Sequence, residues 1–156
     1  MVRFSTIQRE SALIATRIAM HATPKSLVEQ FYHEVWNCAD EAVAREILHP
    51  DFRFRASLGP ERRGPDGFIE YMRSIHAALA DYTCRIEDLV TTGNRAAARM
   101  SFSGIHRARF FGVEATGRVV TWAGGAFFTT DGGTTSPPPD GILRKAKILR
   151  VEFAPG

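Results

Sequence analysis

The stretch GIHRARFFGVEATGR carries a single histidine, His106, among aromatic and basic residues able to build a small chemical site. An imidazole titrates near neutrality, so it suits proton transfer or the orientation of a substrate oxygen. The residues before it set its direction. Ala96, Ala98, Met100, Phe102, Gly104 and His106 share one face of a strand, and Ala97, Arg99, Ser101, Ser103, Ile105 and Arg107 share the other. The first face is apolar and must meet the interior, so His106 is expected inward unless a bulge shifts the register. Such a histidine reads in two ways. It is either a core residue satisfied by a carbonyl or buried water, or a pocket residue that handles a substrate oxygen or a proton.

One carboxylate is a candidate to work with it. Asp88 shares parity with Cys84 and Ile86 and is expected inward, where it would pair with His106. Glu152 lies near the end of the chain, on the face opposite the stripe of Leu149, Val151 and Phe153. Asp51 reads as a turn or cap residue. His21, His33, His49 and His76 are too dispersed to suggest a metal site. No nucleophile elbow, phosphate loop or metal-ligand spacing is present, and no metal is expected.

The positioning elements follow from periodicity. Thr23 and Pro24 open a helix bearing Leu27, Val28, Phe31, Tyr32, Val35 and Trp36. The segment from Asn37 to Asp40 breaks it. Asp40 caps a second short helix with Val43, Ile47 and Leu48, and His49-Pro50 stops that one. Phe52, Phe54 and Ala56 alternate with Arg53 and Arg55, a short half-buried strand. After the loop LGPERRGPDG, a third helix carries Phe68, Ile69, Met72, Ile75, His76 and Leu79. Strands are expected over roughly 83–91, 95–106, 118–130 and 143–153, with the Pro- and Gly-dense DGGTTSPPPDG irregular before the last. Helices first and four long antiparallel strands after make an α+β layout, the helices on one face of a curved sheet.

A chain of 156 residues suits one domain, read as residues 20–156 behind an N-terminal extension over residues 1–19, with Met20 as an alternative start. Hydrophobic residues make up 44% and charged residues 24%, the balance of a globular protein. The net charge of +3 is spread along the chain without a nucleic-acid motif, so no nucleic acid is expected as partner. Cys38 and Cys84 form no CxxC, which suits a reduced, cytoplasmic protein. No apolar run reaches membrane-spanning length, and Arg17 interrupts SALIATRIAM, so neither a membrane nor a signal peptide is expected.

FYHEVWNCAD, EILHPDFRF, IEDLVTTGNRAAARMSFSG and GIHRARFFGVEATGR together resemble the SnoaL-like polyketide cyclase family, over about residues 25–130. The resemblance implies a nuclear transport factor 2-like (cystatin-like) fold. There, a cone-shaped, curved antiparallel sheet and about three N-terminal helices enclose an apolar pocket. It also implies a cofactor-independent enzyme that closes a ring in a polyketide ester by intramolecular aldol condensation, an acid/base side chain removing a proton beside a carbonyl. His106 matches the motif histidine. Asn37 matches the asparagine after the first helix, whose amide either meets a substrate oxygen or caps the helix end. Tyr32, Trp36, Phe110, Phe111 and Trp122 are candidate pocket lining, with plain core packing as the alternative. The implied partners are an apolar carbonyl compound and a second copy, dimerised through the open sheet face.

The sequence departs from the family pattern at three places. His33 stands where asparagine is frequent, and Ala108 replaces the second glycine of the histidine motif. The tail ILRKAKILRVEFAPG has neither the tryptophan nor the acid/base aspartate of the family, and Glu152 falls near the expected position. A non-catalytic small-molecule binding protein on the same fold is therefore the rival reading, with isomerase or epoxide hydrolase chemistry also open to the fold. A cone packed solid by its own side chains would instead make a structural or protein-binding module.

Overall fold

A computed structural model of the chain describes Arg9 and residues 22–56, 59–131 and 146–155. The expected extension over residues 1–19 (Arg9 aside), most of the Pro-rich loop and the start of the last strand lie outside the described residues.

Helix α1, Pro24–Gln30, begins with a reciprocal cap. The Ser26 N–H donates to the Thr23 hydroxyl oxygen (3.2 Å), and the Thr23 N–H donates to the Ser26 hydroxyl (2.9 Å). From Phe31 to Trp36 the helix widens into a π-helical segment, where sequence periodicity suggests one continuous α-helix. The wider turn suits the pairs Phe31–Tyr32 and Val35–Trp36, all four of which are buried. Helix α2, Glu41–Ile47, is capped by the Asp40 carboxylate, which accepts the Val43 N–H at 3.0 Å. Helix α3 runs from Gly64 to Ala78, one turn earlier than its first apolar residue suggests, because Pro65 fits the first turn.

Among the described residues, six strands follow the order β2-β1-β6-β5-β4-β3: β1 Leu48–Arg55, β2 Arg62–Arg63, β3 Leu79–Thr92, β4 Arg95–His106, β5 Val119–Thr130 and β6 Ile148–Pro155. All neighbours are antiparallel except β1 and β6, which run parallel with Phe54 opposite Val151. The sheet is thus mixed and unclosed, not purely antiparallel. The last strand enters between β1 and β5, a pairing that short-range patterning does not reveal. His49 and Pro50 lie inside β1, before a bulge that ends at Arg53.

The helices cover one sheet face. Phe31 of the π-helical segment, Phe68 of α3, Phe52 of β1 and Phe128 of β5 are fully buried there, with Phe31 in edge contact with Phe128 at 5.7 Å. The even positions of β4 from Ala96 to His106 are all buried, as the alternation predicts.

Candidate functional site

His106 ends β4, opposite Leu79 of β3, and is 6% exposed. Its backbone is held from both sides by the returning chain. Its N–H donates to the Arg118 carbonyl (2.9 Å), and its carbonyl accepts the Gly117 N–H (2.8 Å). The left-handed φ of +68° at Gly117 makes this tight return possible. The same turn brings the Thr116 hydroxyl to 3.2 Å from the His106 Nδ1. The other ring nitrogen, Nε2, is buried and has no hydrogen-bond partner among the described residues. Leaving such a group unpaired costs roughly 1–3 kcal/mol, so the ring is poised for an added acceptor or donor.

The loop beyond His106 is anchored and strained. The backbone N–H groups of Arg107 and Ala108 donate to the Ala78 carbonyl, and the Arg107 guanidinium donates to the carbonyls of His76 and Ala77, closing the end of α3. Phe110 and Val113 exchange two backbone bonds around Phe111 and Gly112, whose φ angles are +47° and +79°. A phenylalanine in this left-handed position is strained. Its ring packs on Phe110 at 4.5 Å while half exposed, and Phe110 lies 6.5 Å from the His106 ring.

Trp122 stacks on its cross-strand partner Phe102 at 5.2 Å, and Phe153 meets Phe102 edge-on at 5.3 Å. A run of ring contacts continues from Trp122 through Tyr82 and Trp36 to Tyr71. Between the Phe102–Trp122 pair and His106, β4 and β5 carry Gly104 and its partner Val120, and the buried Leu79 of β3 packs directly against Gly104. Phe110, Val120, Trp122 and Phe153 keep partial exposure. Tyr32 and Trp36 are deeply buried among rings of the π-helical segment, α3 and the sheet. Burial holds the Tyr32 and Tyr82 hydroxyls well above the usual phenol range, so both keep their protons.

Other expected residues lie elsewhere. The Asn37 amide is spent on β3: its Nδ2 donates to the Cys84 carbonyl (3.0 Å), and its Oδ1 accepts the Cys84 N–H (2.8 Å). Asp88 is exposed and accepts its neighbour Leu89 N–H at 2.9 Å. A bulge between Ile86 and Asp88 reverses the parity that placed it inside, and Asp88 pairs with Arg99, far along the ladder from His106. The expected Asp88–His106 pair is therefore not formed. Glu152 stands opposite the half-exposed Phe127 and is bound by Arg150 at 2.6 Å, on the outer face. Recesses of about 420, 440 and 570 Å³ also line that outer face, along β3, β4 and β5, the first of them reaching Arg150 and Glu152 of β6. Thr116 is the residue that sequence reasoning missed. Its signal was the Thr-Gly pair of EATGR, a turn signature ten residues after the histidine.

The SnoaL-like polyketide cyclase profile matches residues 26–134, most of the chain, including β4 and the His106 loop. The chain belongs to this family. No curated protein matches it. Among solved structures, a candidate SnoaL-like polyketide cyclase from Jannaschia sp. CCS1 superposes with a TM-score of 0.69 at 17% identity, covering 85% of this chain and 84% of that one. TsrD from Streptomyces laurentii gives 0.65 at 24% identity, over 86% and 89%. The protein Rd1NTF2_04 gives 0.59 at 14% identity, over 85% and 100%. The α+β architecture of this SnoaL-like chain is the nuclear transport factor 2-like fold. No helix among the described residues is long and apolar enough to cross a membrane.

Proposed function

We propose that the chain is a cofactor-independent enzyme of the polyketide cyclase type, acting on an apolar compound with a ketone or ester carbonyl. The observation that carries this reading is the buried, unpartnered Nε2 of His106 beside Phe110. A substrate oxygen reaching that nitrogen would offset its desolvation, and the aromatic surface would fold the chain of the substrate for ring closure. Trp122, partly exposed and stacked on the buried Phe102, offers a flat wall for such a ring.

A non-catalytic binding protein is the second reading. It is favoured by the placement of Asp88 and Glu152 away from His106, which leaves the histidine without either carboxylate. A second copy is the proposed protein partner, seated on the outer sheet face where Val90, Val119 and Phe127 are more than half exposed. The two free thiols, Cys38 and Cys84, suit a reducing compartment such as the cytoplasm.

The test is equilibrium binding of a panel of aromatic ketones and keto esters to the wild type and to His106→Ala, followed by an assay for carbon–carbon ring closure. Binding that the substitution weakens, with turnover, supports the enzyme. Binding without turnover supports the carrier reading. No binding to the wild type overturns both.

A further inference from the structure

We infer that the outer face of the sheet carries a second ligand site, between Arg95 and Arg150, that takes a small apolar molecule bearing a carboxylate. The site is independent of His106, which lies at the opposite end of β4 and faces the other way.

A row of like charges crosses the outer face. Arg63 of β2, Arg53 of β1, Arg150 of β6, Thr129 of β5 and Arg95 of β4 stand opposite one another across five neighbouring strands. Arginines set side by side in this way repel and weaken a sheet. Carboxylates relieve only part of the row. Glu61 takes Arg53 at 2.9 Å and Arg63 at 3.5 Å, and Glu152 takes Arg150 at 2.6 Å. The hydrogen bond from Arg53, with the charges of Arg53, Arg63 and Arg150 added to it, holds the Glu61 carboxyl below its usual range. Three guanidinium groups thus act on one acid. Arg95 has no acidic partner among the described residues. The row therefore keeps a positive excess at its β4 end, and an added anion would relieve it.

A recess of about 420 Å³ opens at that end. Its size falls within the roughly 300–1,000 Å³ of small-molecule sites. Arg95 and Arg150 line it on either side of Thr129, two strands or about 10 Å apart, so both side chains can close on one anion. The Thr129 hydroxyl between them adds a donor. In the next row of the same recess stand Val90, Ala97 and Phe127, with Val90 62% and Phe127 54% exposed. A cationic pair beside an open apolar strip suits an organic carboxylate better than a bare inorganic ion. Glu152 lines the recess too and already holds Arg150, so it competes with an incoming carboxylate. A second copy seated on this face would cover Val90 and Phe127, so copy and ligand exclude one another.

The experiment is calorimetric titration of 2-naphthoate into the full chain at low salt. The neutral 2-naphthamide is the control, and light scattering is recorded on the same samples. The wild type should bind naphthoate about tenfold or more tightly than the amide, and the difference should shrink as salt is raised. Arg95→Gln should weaken naphthoate binding about tenfold, the worth of roughly one charge-assisted hydrogen bond. Glu152→Gln should tighten it severalfold by freeing Arg150, a gain that misfolding cannot imitate. His106→Ala should leave it unchanged. Equal affinity for acid and amide, or an unchanged affinity in Arg95→Gln, would overturn the inference. So would weakening in His106→Ala, which would put the anion in the histidine site. A wild type that takes up no naphthoate also overturns it, and a dimeric mass in that sample would give the face to a second copy.

Discussion

Asn37 and Cys84 lie 47 positions apart, yet the side-chain amide of one pairs with both backbone groups of the other, at 2.8 and 3.0 Å. The amide acts as a stand-in for a neighbouring strand and ties the end of the first helical segment to β3. Replacing Asn37 with Ala leaves a partly buried N–H and C=O unpaired. Urea unfolding should then show a loss of about 2–4 kcal/mol. Asn37→Asp, which still accepts but cannot donate, should fall between. Full stability in Asn37→Ala would remove the structural role and return the amide to the list of substrate contacts.

Gly124 of β5 has no room for a side chain. A Cβ there would sit 2.3 Å from the Phe153 ring and 2.5 Å from the Ala154 carbonyl oxygen. Gly124→Ala should therefore force β5 and β6 apart and cost about 2 kcal/mol or more. Adding Phe153→Leu should restore only part of this, because the backbone oxygen stays. Complete rescue in the double variant would show that β6 can move.

Alkaline stability should be governed in part by buried acids. Burial pushes the Cys84 thiol from 9.0 up to about 12, and it raises the Tyr32 and Tyr82 hydroxyls well above 10.0. The unfolded chain therefore releases these protons first. The stability they contribute is complete below about pH 9 and is lost as pH rises toward 12. Urea midpoints should fall steeply across that window. Cys84→Val should flatten the slope; an unchanged slope would mean that the thiol is open to solvent.

Asp88→Asn should leave the NMR signals of the His106 ring in place, because the carboxylate is on the outer face and paired in register with Arg99. It should also cost only a few tenths of a kcal/mol, as exposed substitutions generally do. Displaced His106 ring signals would place the two groups in contact and contradict the bulge at Ile86–Asp88.

Much of this protein is legible in its sequence. Alternation across β4 put His106 inside, because one apolar face leaves a strand no other orientation. Thr23 and Asp40 marked helix starts, because their side chains satisfy amides within three residues. The family motifs ran in order along the chain, and the family followed from them. All of these depend on neighbours in sequence.

What only the tertiary structure decided depends on contacts between distant segments. One extra residue in β3 turned Asp88 outward, and nothing in the local pattern announces a bulge set by the strand beside it. The parallel pairing of β1 with β6 joins residues nearly a hundred positions apart. The Asn37 amide looked free for substrate until β3 arrived to occupy it. Thr116 became a partner of His106 only when the chain turned back at Gly117 and closed three bonds around the ring and its backbone. Side-chain type sets what chemistry is available, but which polar atoms remain unspent is settled by packing, and among the buried side-chain atoms of the described residues that atom is the Nε2 of His106.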